Sequence, residues 1–144
     1  MSKPRVLLAD DDIGVANALR RLLEGEVELV GVVHDGIALV QAALELRPDV
    51  IVTDISMPLM NGLEATRRLK QEGATARIIF LTMYSESQLA AEAVRIGASA
   101  FLAKFAAGEN LVDAIYQAFA ADGTRERLND ESPPSRSQIG SSPR

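Results

Sequence analysis

Short, almost wholly apolar runs alternate along this chain with longer segments in which apolar residues recur every three or four positions. The short runs consist mainly of Val, Ile, Leu and Ala, which is typical of strands buried on both faces of a parallel sheet. The longer segments have the period of amphipathic helices, each with one apolar stripe. We predict strands over residues 5–9, 28–33, 50–53, 77–81 and 100–103, with a helix after each one.

This alternation of strand and helix predicts the fold class. A strand, a helix and a second strand form the unit from which parallel sheets are built. Pro48 supports the division, because the residue before a proline disfavours helix, so that the second helix ends there and the third strand begins. The pattern therefore predicts a single α/β domain in which a doubly wound, five-stranded parallel sheet is flanked by five helices.

The composition is that of one folded domain with a polar end. Of the 144 residues, 47% are hydrophobic, and the chain contains neither Cys nor Trp. A chain without Cys has no disulfide framework and no thiolate metal site. From Gly123 onward Ser and Pro are frequent and apolar residues are few. We therefore expect a domain over residues 1–122 and a disordered polar tail over residues 123–144.

Charge and hydropathy exclude some classes of partner. The net charge of −5 disfavours direct binding of nucleic acid, because phosphate backbones bind to basic patches. The first apolar run is too short for a signal peptide or a membrane span. We therefore expect a cytoplasmic protein that binds neither nucleic acid nor a membrane.

Acidic residues close two of the predicted strands. Asp10, Asp11 and Asp12 follow the first strand, and Asp54 follows the third. The C-terminal ends of parallel strands lie along one edge of a sheet, where ligands bind. Carboxylates brought together there repel one another and favour a cation, so Asp10, Asp11 and Asp54 are candidates to hold Mg²⁺. We expect Asp12 to begin the first helix, since an acid there suits the helix dipole.

Two further polar residues follow the remaining strands of this edge. Thr82 comes after the fourth strand and Lys104 after the fifth. A hydroxyl and an ammonium group are suited to bind and neutralise phosphoryl oxygens. A carboxylate beside them can attack phosphorus and form an aspartyl phosphate. The residue types therefore indicate phosphoryl capture with the help of a metal ion.

In these motifs the chain resembles the receiver domains of two-component response regulators. The resemblance extends from Arg5 to about Asp122. It rests on four segments in a fixed order: Val6-Leu7-Leu8-Ala9-Asp10-Asp11, Asp54-Ile55-Ser56-Met57-Pro58-Leu59-Met60-Asn61-Gly62, Leu81-Thr82-Met83, and Gly97-Ala98-Ser99-Ala100-Phe101-Leu102-Ala103-Lys104. The family has a flavodoxin-like fold with strand order 2-1-3-4-5, which implies that the first and third strands are neighbours.

The resemblance implies the roles of the acids. Asp54 is then the phosphoacceptor, and Mg²⁺ is held by Asp10, Asp11, Asp54 and the backbone carbonyl of Ser56. A sensor histidine kinase or a phosphotransfer protein would supply the phosphoryl group. The chain would act as a switch that catalyses its own phosphorylation and dephosphorylation, rather than as a turnover enzyme.

The resemblance also implies which residues respond to the phosphoryl group. Thr82 and Lys104 are then the switch hydroxyl and lysine. Phe101 is either a rotating switch aromatic or a partly buried strand residue. Ser56 and Tyr84, each two positions beyond a site residue, would flank the phosphoryl group and tune its hydrolysis. His34 is expected to be an exposed loop residue.

The chain differs from the receivers that it most resembles, those preceding a LuxR-type helix-turn-helix domain. We expect no DNA-binding domain to follow, so that the protein is either a stand-alone receiver or one whose effector domain has been lost or lies on another chain. Phe105 follows the lysine where many receivers have Pro or Asp. The resemblance allows a homodimer to form on phosphorylation.

Two other functions remain open at this stage. The first is a receiver-like interaction module that works without phosphate, although such modules typically lack one of the acids, the hydroxyl or the lysine. The second is a Mg²⁺-dependent phosphohydrolase of small molecules. Such enzymes usually need a second carboxylate as general acid, and the polar neighbours of Asp54 in sequence, Ser56 and Asn61, cannot act as one.

Overall fold

The computed structural model describes residues 2–83 and 87–131 and contains one parallel sheet of five strands. Their order, β2-β1-β3-β4-β5, confirms the predicted flavodoxin-like topology. The strands are β1 Arg5–Ala9, β2 Glu28–Val33, β3 Val50–Asp54, β4 Arg77–Thr82 and β5 Ala100–Ala103. Strands β3 and β4 each extend one residue beyond the prediction, so that Asp54 and Thr82 belong to the strands themselves.

Five helices flank the sheet, as predicted. They are α1 Ile13–Leu23, α2 Gly36–Leu46, α3 Gly62–Gln71, α4 Ser87–Arg95 and α5 Ala107–Glu131, and a 3₁₀ turn, Lys104–Ala106, precedes α5. Three of the helices begin at an Asp or Asn whose side chain accepts a hydrogen bond from the backbone three residues on: Asp12, Asp35 and Asn61. In the described part of the chain, no helix combines the length and the apolar content that crossing a membrane requires.

Alternate residues of each central strand face opposite sides of the sheet. Leu7 and Ala9 of β1 pack with apolar residues of α2 and α3, whereas Val6 and Leu8 pack with those of α1 and α5. Each set is almost completely buried, which explains why the strands are apolar at successive positions rather than at every second one. Packing on both faces of the sheet fixes the position of each strand along its own axis. It thereby also fixes the positions of the residues at the strand ends.

Helix α5 is longer than the sequence suggested. It continues to Glu131, past the predicted domain boundary at residue 122, so that residues 123–131 belong to α5. Extending a helix that is already anchored costs less than starting one, because the nucleation step has been made. Residues 132–144, the remainder of the predicted tail, lie outside the described residues.

Candidate functional site

Asp54 lies at the C-terminal edge of the sheet, at the end of β3. Its side chain is almost buried, and its backbone pairs in register with Leu81 of β4. The chain then turns sharply, with the amide of Gly62 donating to the carbonyl of Ile55 at 2.7 Å. A Cβ atom at Gly62 would lie 2.2 Å from the backbone oxygen of Asp54, so only glycine allows α3 to begin this close to the site.

The three consecutive acids after β1 have different surroundings. Asp10 is fully buried, and its Oδ1 accepts a hydrogen bond from the amide of Asp12 at 2.9 Å. Asp11 is exposed. Asp12 accepts a hydrogen bond from the amide of Val15 at 3.1 Å and caps α1, which confirms the prediction for this residue.

The fold brings Asp10, Asp11 and Asp54 together. Each offers a carboxylate oxygen, and these oxygens lie within 4.8 Å of one another. Oδ2 of Asp10 is buried, and the ammonium nitrogen of Lys104 lies 2.8 Å from it. Clustered carboxylate oxygens fit a hard cation such as Mg²⁺. Ser56, whose carbonyl was predicted to complete the set, lies exposed in the loop that follows Asp54.

Lys104 supplies the positive charge of this cluster. Its Nζ lies 2.8 Å from Oδ2 of Asp10 and 3.1 Å from Oδ2 of Asp54, and its side chain is only 10% exposed. Burial by itself lowers the pKa of this ammonium, but its contacts with Asp54 and Asp10 outweigh burial and raise the pKa above its ordinary value. Lys104 is therefore positively charged at neutral pH.

The surroundings of Asp54 also raise its pKa, but for a carboxyl this favours the neutral form. Burial raises the pKa of this carboxyl, the contact with Lys104 lowers it, and the charges of Asp10 and Asp11 raise it again, with a net increase. The ionised form of Asp54 is thus held at a cost in the protein without a bound cation. A metal ion at this position would remove that cost.

The other predicted residues are distributed around this cluster. Thr82 is buried at the end of β4 and pairs in register with Ala103, one level beyond Asp54. Phe101 of β5 is partly buried and packs on the core that α2 and α3 cover. Tyr84 lies outside the described residues.

The bond between Lys104 and Phe105 is trans. The Phe105 side chain that follows is 88% exposed and faces solvent, away from the acidic cluster that Lys104 contacts.

Sequence analysis missed one contact of the site. His34 is exposed, as expected, but its ring nitrogen Nδ1 lies 2.9 Å from the backbone carbonyl of Asp10. The predicted strand order could have indicated this contact. It makes β1 and β2 neighbours, so the residue after β2 lies beside the residue after β1.

Comparisons with known proteins agree with this arrangement. The family described as the response regulator receiver domain matches residues 6–116. The chain is 34% identical over 117 residues to the chemotaxis protein CheY of Halobacterium salinarum, covering 81% of this chain and 98% of that protein. It is 38% identical over 109 residues to the transcriptional regulatory protein YdfI of Bacillus subtilis, covering 74% of this chain and 51% of YdfI. The chain thus spans about half the length of that regulator.

Solved structures are also similar. A two-component response regulator of the LuxR family from Aurantimonas sp. has a TM-score of 0.79 and 31% identity, with 90% of this chain and 99% of that chain covered. The response regulator domain of Thermotoga maritima CheB has a TM-score of 0.76 and 29% identity, with 82% and 97% covered. Fold, motif order and relatives lead to one conclusion: the chain belongs to the response regulator receiver domain family of two-component signalling.

Proposed function

We propose that this protein is a phosphorylation-controlled switch in which Asp54 accepts a phosphoryl group from the phosphohistidine of a sensor histidine kinase or a phosphotransfer protein. The observation that carries the proposal is the contact of Lys104 with both Asp10 and Asp54 at the edge of the sheet. This contact joins the buried carboxylates of Asp10 and Asp54 to a positive charge, beside the exposed carboxylate of Asp11. Such a pair suits the capture of an anionic group by a carboxylate nucleophile.

Mg²⁺ is the cofactor in this proposal. Asp10, Asp11, Asp54 and the backbone carbonyl of Ser56 would hold it, since carboxylate and carbonyl oxygens are the ligands that Mg²⁺ takes in proteins. The bound ion supplies positive charge that offsets the charge of the phosphoryl oxygens.

The protein's own groups carry out the transfer. A carboxylate oxygen of Asp54 attacks phosphorus, the phosphorus–nitrogen bond to the donor histidine breaks, and the electron pair remains on the imidazole nitrogen. The product is an acyl phosphate on Asp54. Lys104 then pairs with a phosphoryl oxygen in place of the carboxylate oxygen that it now contacts, and the hydroxyl of Thr82 donates to another. Attack by water later releases inorganic phosphate and restores the carboxylate.

The output follows from the change in charge. A phosphoryl group adds about −1.5 to −2 charge at neutral pH, enough to reorient the Thr82 side chain. We infer that this change biases the surface formed by α4, β5 and α5, where Phe101 lies beneath the surface, between two arrangements. That surface would bind a downstream effector on another chain or a second copy of this protein, in the cytoplasm. We propose no direct contact with nucleic acid.

The relatives that are transcriptional regulators bear on the effector only by analogy. The similarity to YdfI covers about half of that protein. We therefore assign the phosphorylation switch to this protein, and the downstream activity to the partner that it binds.

Intact mass spectrometry tests the phosphoacceptor. The wild type, Asp54→Asn and Asp113→Asn are incubated with acetyl phosphate and MgCl₂, and then with acetyl phosphate and EDTA. Asp113 is an exposed acid on α5 and serves as the matched control. We expect one added phosphoryl group on the wild type and on Asp113→Asn in MgCl₂, and none on Asp54→Asn or in EDTA.

Two results would contradict the proposal. An adduct on Asp54→Asn would show that another residue is the acceptor. If no protein gains an adduct from acetyl phosphate or from phosphohistidine donors, a phosphate-independent interaction module becomes the better description.

A further inference from the structure

The turn between β2 and α2 touches the site at a residue that the proposed mechanism does not use. His34 directs Nδ1 to the backbone carbonyl of Asp10, with 2.9 Å between the two atoms. A carbonyl oxygen can only accept a hydrogen bond, so Nδ1 carries the proton and donates. The imidazole therefore acts here as a fixed donor to the main chain.

The carbonyl that His34 binds belongs to the peptide joining Asp10 and Asp11. The amide of Asp10 donates to the carbonyl of Val33 at 3.0 Å, which continues the pairing of β1 with β2 by one residue. With the bond from His34, both backbone groups of Asp10 are held by the segment 33–34. The plane of the following peptide, from which the two acidic side chains diverge, is thereby fixed.

The turn that carries His34 is itself anchored on both sides. Val33 belongs to β2, and Asp35 caps α2 by accepting from the amide of Ala38 at 2.7 Å. Gly36 packs against the backbone of Met60, where a Cβ atom on the glycine would lie 1.8 Å from the carbonyl oxygen of Met60. The turn thus contacts the loop after β1 and the loop after β3, which present Asp10 and Asp54 respectively.

We propose that His34 is a positioning residue for the cation site: its Nδ1–H holds the Asp10–Asp11 peptide so that both carboxylates face Asp54. The inference rests on the proposed function, because it concerns the ion that Asp10, Asp11 and Asp54 would hold. His34 acts through the main chain and does not itself bind the ion. Groups that orient metal ligands typically change metal affinity by 10–100-fold when they are removed.

Two substitutions separate the donor from the rest of the ring. His34→Asn keeps a nitrogen donor one bond beyond Cγ, as in Nδ1, whereas His34→Leu has a similar bulk without a donor. The full chain of each variant and the wild type are titrated with MgCl₂, and the backbone amides at the ends of β1 and β3 are followed by ¹H–¹⁵N NMR. The midpoint of urea unfolding in EDTA is measured for all three.

We expect His34→Leu to bind Mg²⁺ about tenfold more weakly than the wild type, at the lower end of the range for orienting groups because the histidine is exposed. His34→Asn should recover most of the affinity. The urea midpoints of the two variants should be alike, because water can satisfy the carbonyl of Asp10 in His34→Leu, as the asparagine donor does in His34→Asn.

Three results would overturn the inference, and they are distinguishable. If the wild type and His34→Leu bind Mg²⁺ equally, His34 does not position the site, and the proposed metal site stands. If both variants lose affinity equally, the donor is not what matters. If the wild type does not bind Mg²⁺, the proposed metal site fails and this inference fails with it.

Discussion

The ammonium nitrogen of Lys104 lies 3.1 Å from Oδ2 of Asp54, although the two residues are 50 positions apart in the chain. Asp54 ends β3 and Lys104 follows β5, and these strands are not neighbours, because β4 lies between them. The long lysine side chain extends past the end of β4, where Thr82 is the last residue. The three residues therefore occupy adjacent places along one edge of the sheet.

Removal of the positive charge of Lys104 should destabilise the protein, and bound Mg²⁺ should restore part of the lost stability. In EDTA, we expect Lys104→Met to lower the free energy of unfolding by about 3 kcal/mol, because Asp10 and Asp54 lose their buried partner. Saturating MgCl₂ should reduce this deficit, since a cation bound to the folded state stabilises it. Urea unfolding with and without MgCl₂ measures both quantities.

Lys70→Met is the control for this substitution, because Lys70 is exposed on α3. It should change the free energy of unfolding by less than about 0.5 kcal/mol in either solution. An equal loss for Lys104→Met with and without Mg²⁺ would argue against a shared role of the lysine and the ion.

The raised pKa of Asp54 makes a prediction about pH. A carboxyl whose pKa is higher in the folded than in the unfolded state destabilises the fold wherever it is ionised, above its ordinary value of 3.8. Asp54→Asn should therefore be more stable than the wild type at pH 7 in EDTA, on the order of 1 kcal/mol. This advantage should shrink as the pH falls toward 3.8. Urea unfolding in EDTA at a series of pH values tests it, and a variant less stable at pH 7 would mean that pairing with Lys104 outweighs burial.

The glycine that begins α3 should be indispensable for the site. Gly62→Ala introduces a methyl group where the backbone oxygen of Asp54 lies, and we expect the free energy of unfolding to fall by about 2 kcal/mol. Labelling by acetyl phosphate should fall as well, because the loop that presents Asp54 must move.

Gly108→Ala provides a matched comparison for that glycine. Nothing lies within 4 Å of a Cβ atom at Gly108, and the residue is in the first turn of α5. Since alanine favours helix over glycine, this variant should gain up to about 1 kcal/mol and keep full labelling. Similar losses for both variants would show that the steric argument is wrong.

An ion pair between α3 and α4 should limit the motion of α4. Glu92 of α4 pairs with Arg67 of α3 and with Arg95 of its own helix. Among the side chains of α4 that the structure describes, Ala93 is the only one that is fully buried, so apolar packing holds this helix weakly. We expect Glu92→Gln to change the free energy of unfolding by less than about 1 kcal/mol but to accelerate amide exchange in α4.

Glu72→Gln removes an ion pair at the C-terminal end of α3, that of Glu72 with Arg68, and is the control for this experiment. It should leave amide exchange in α4 unchanged. If both variants accelerate exchange in α4 equally, the effect comes from the charge of the protein and not from the link between the helices.

Much of this architecture could be read from the order of residues. The apolar runs predicted all five strands to within one residue, because burial on both faces demands apolar residues at successive positions. The order of the acids, the threonine and the lysine at strand ends predicted the family, and Asp12 was distinguished from its two acidic neighbours as the cap of α1. These are local properties, since a strand end or a helix cap is encoded within a few residues.

Other features arose only when distant segments met. The contact of His34 with Asp10 depends on the pairing of β1 with β2, and the difference between buried Asp10 and exposed Asp11 depends on which carboxylate turns toward Lys104. The opposing effects of burial and charge on the pKa of Asp54 likewise require the folded surroundings. Local pattern determines which residues end a strand, whereas packing across the sheet determines which of their atoms lie within a few ångströms of one another.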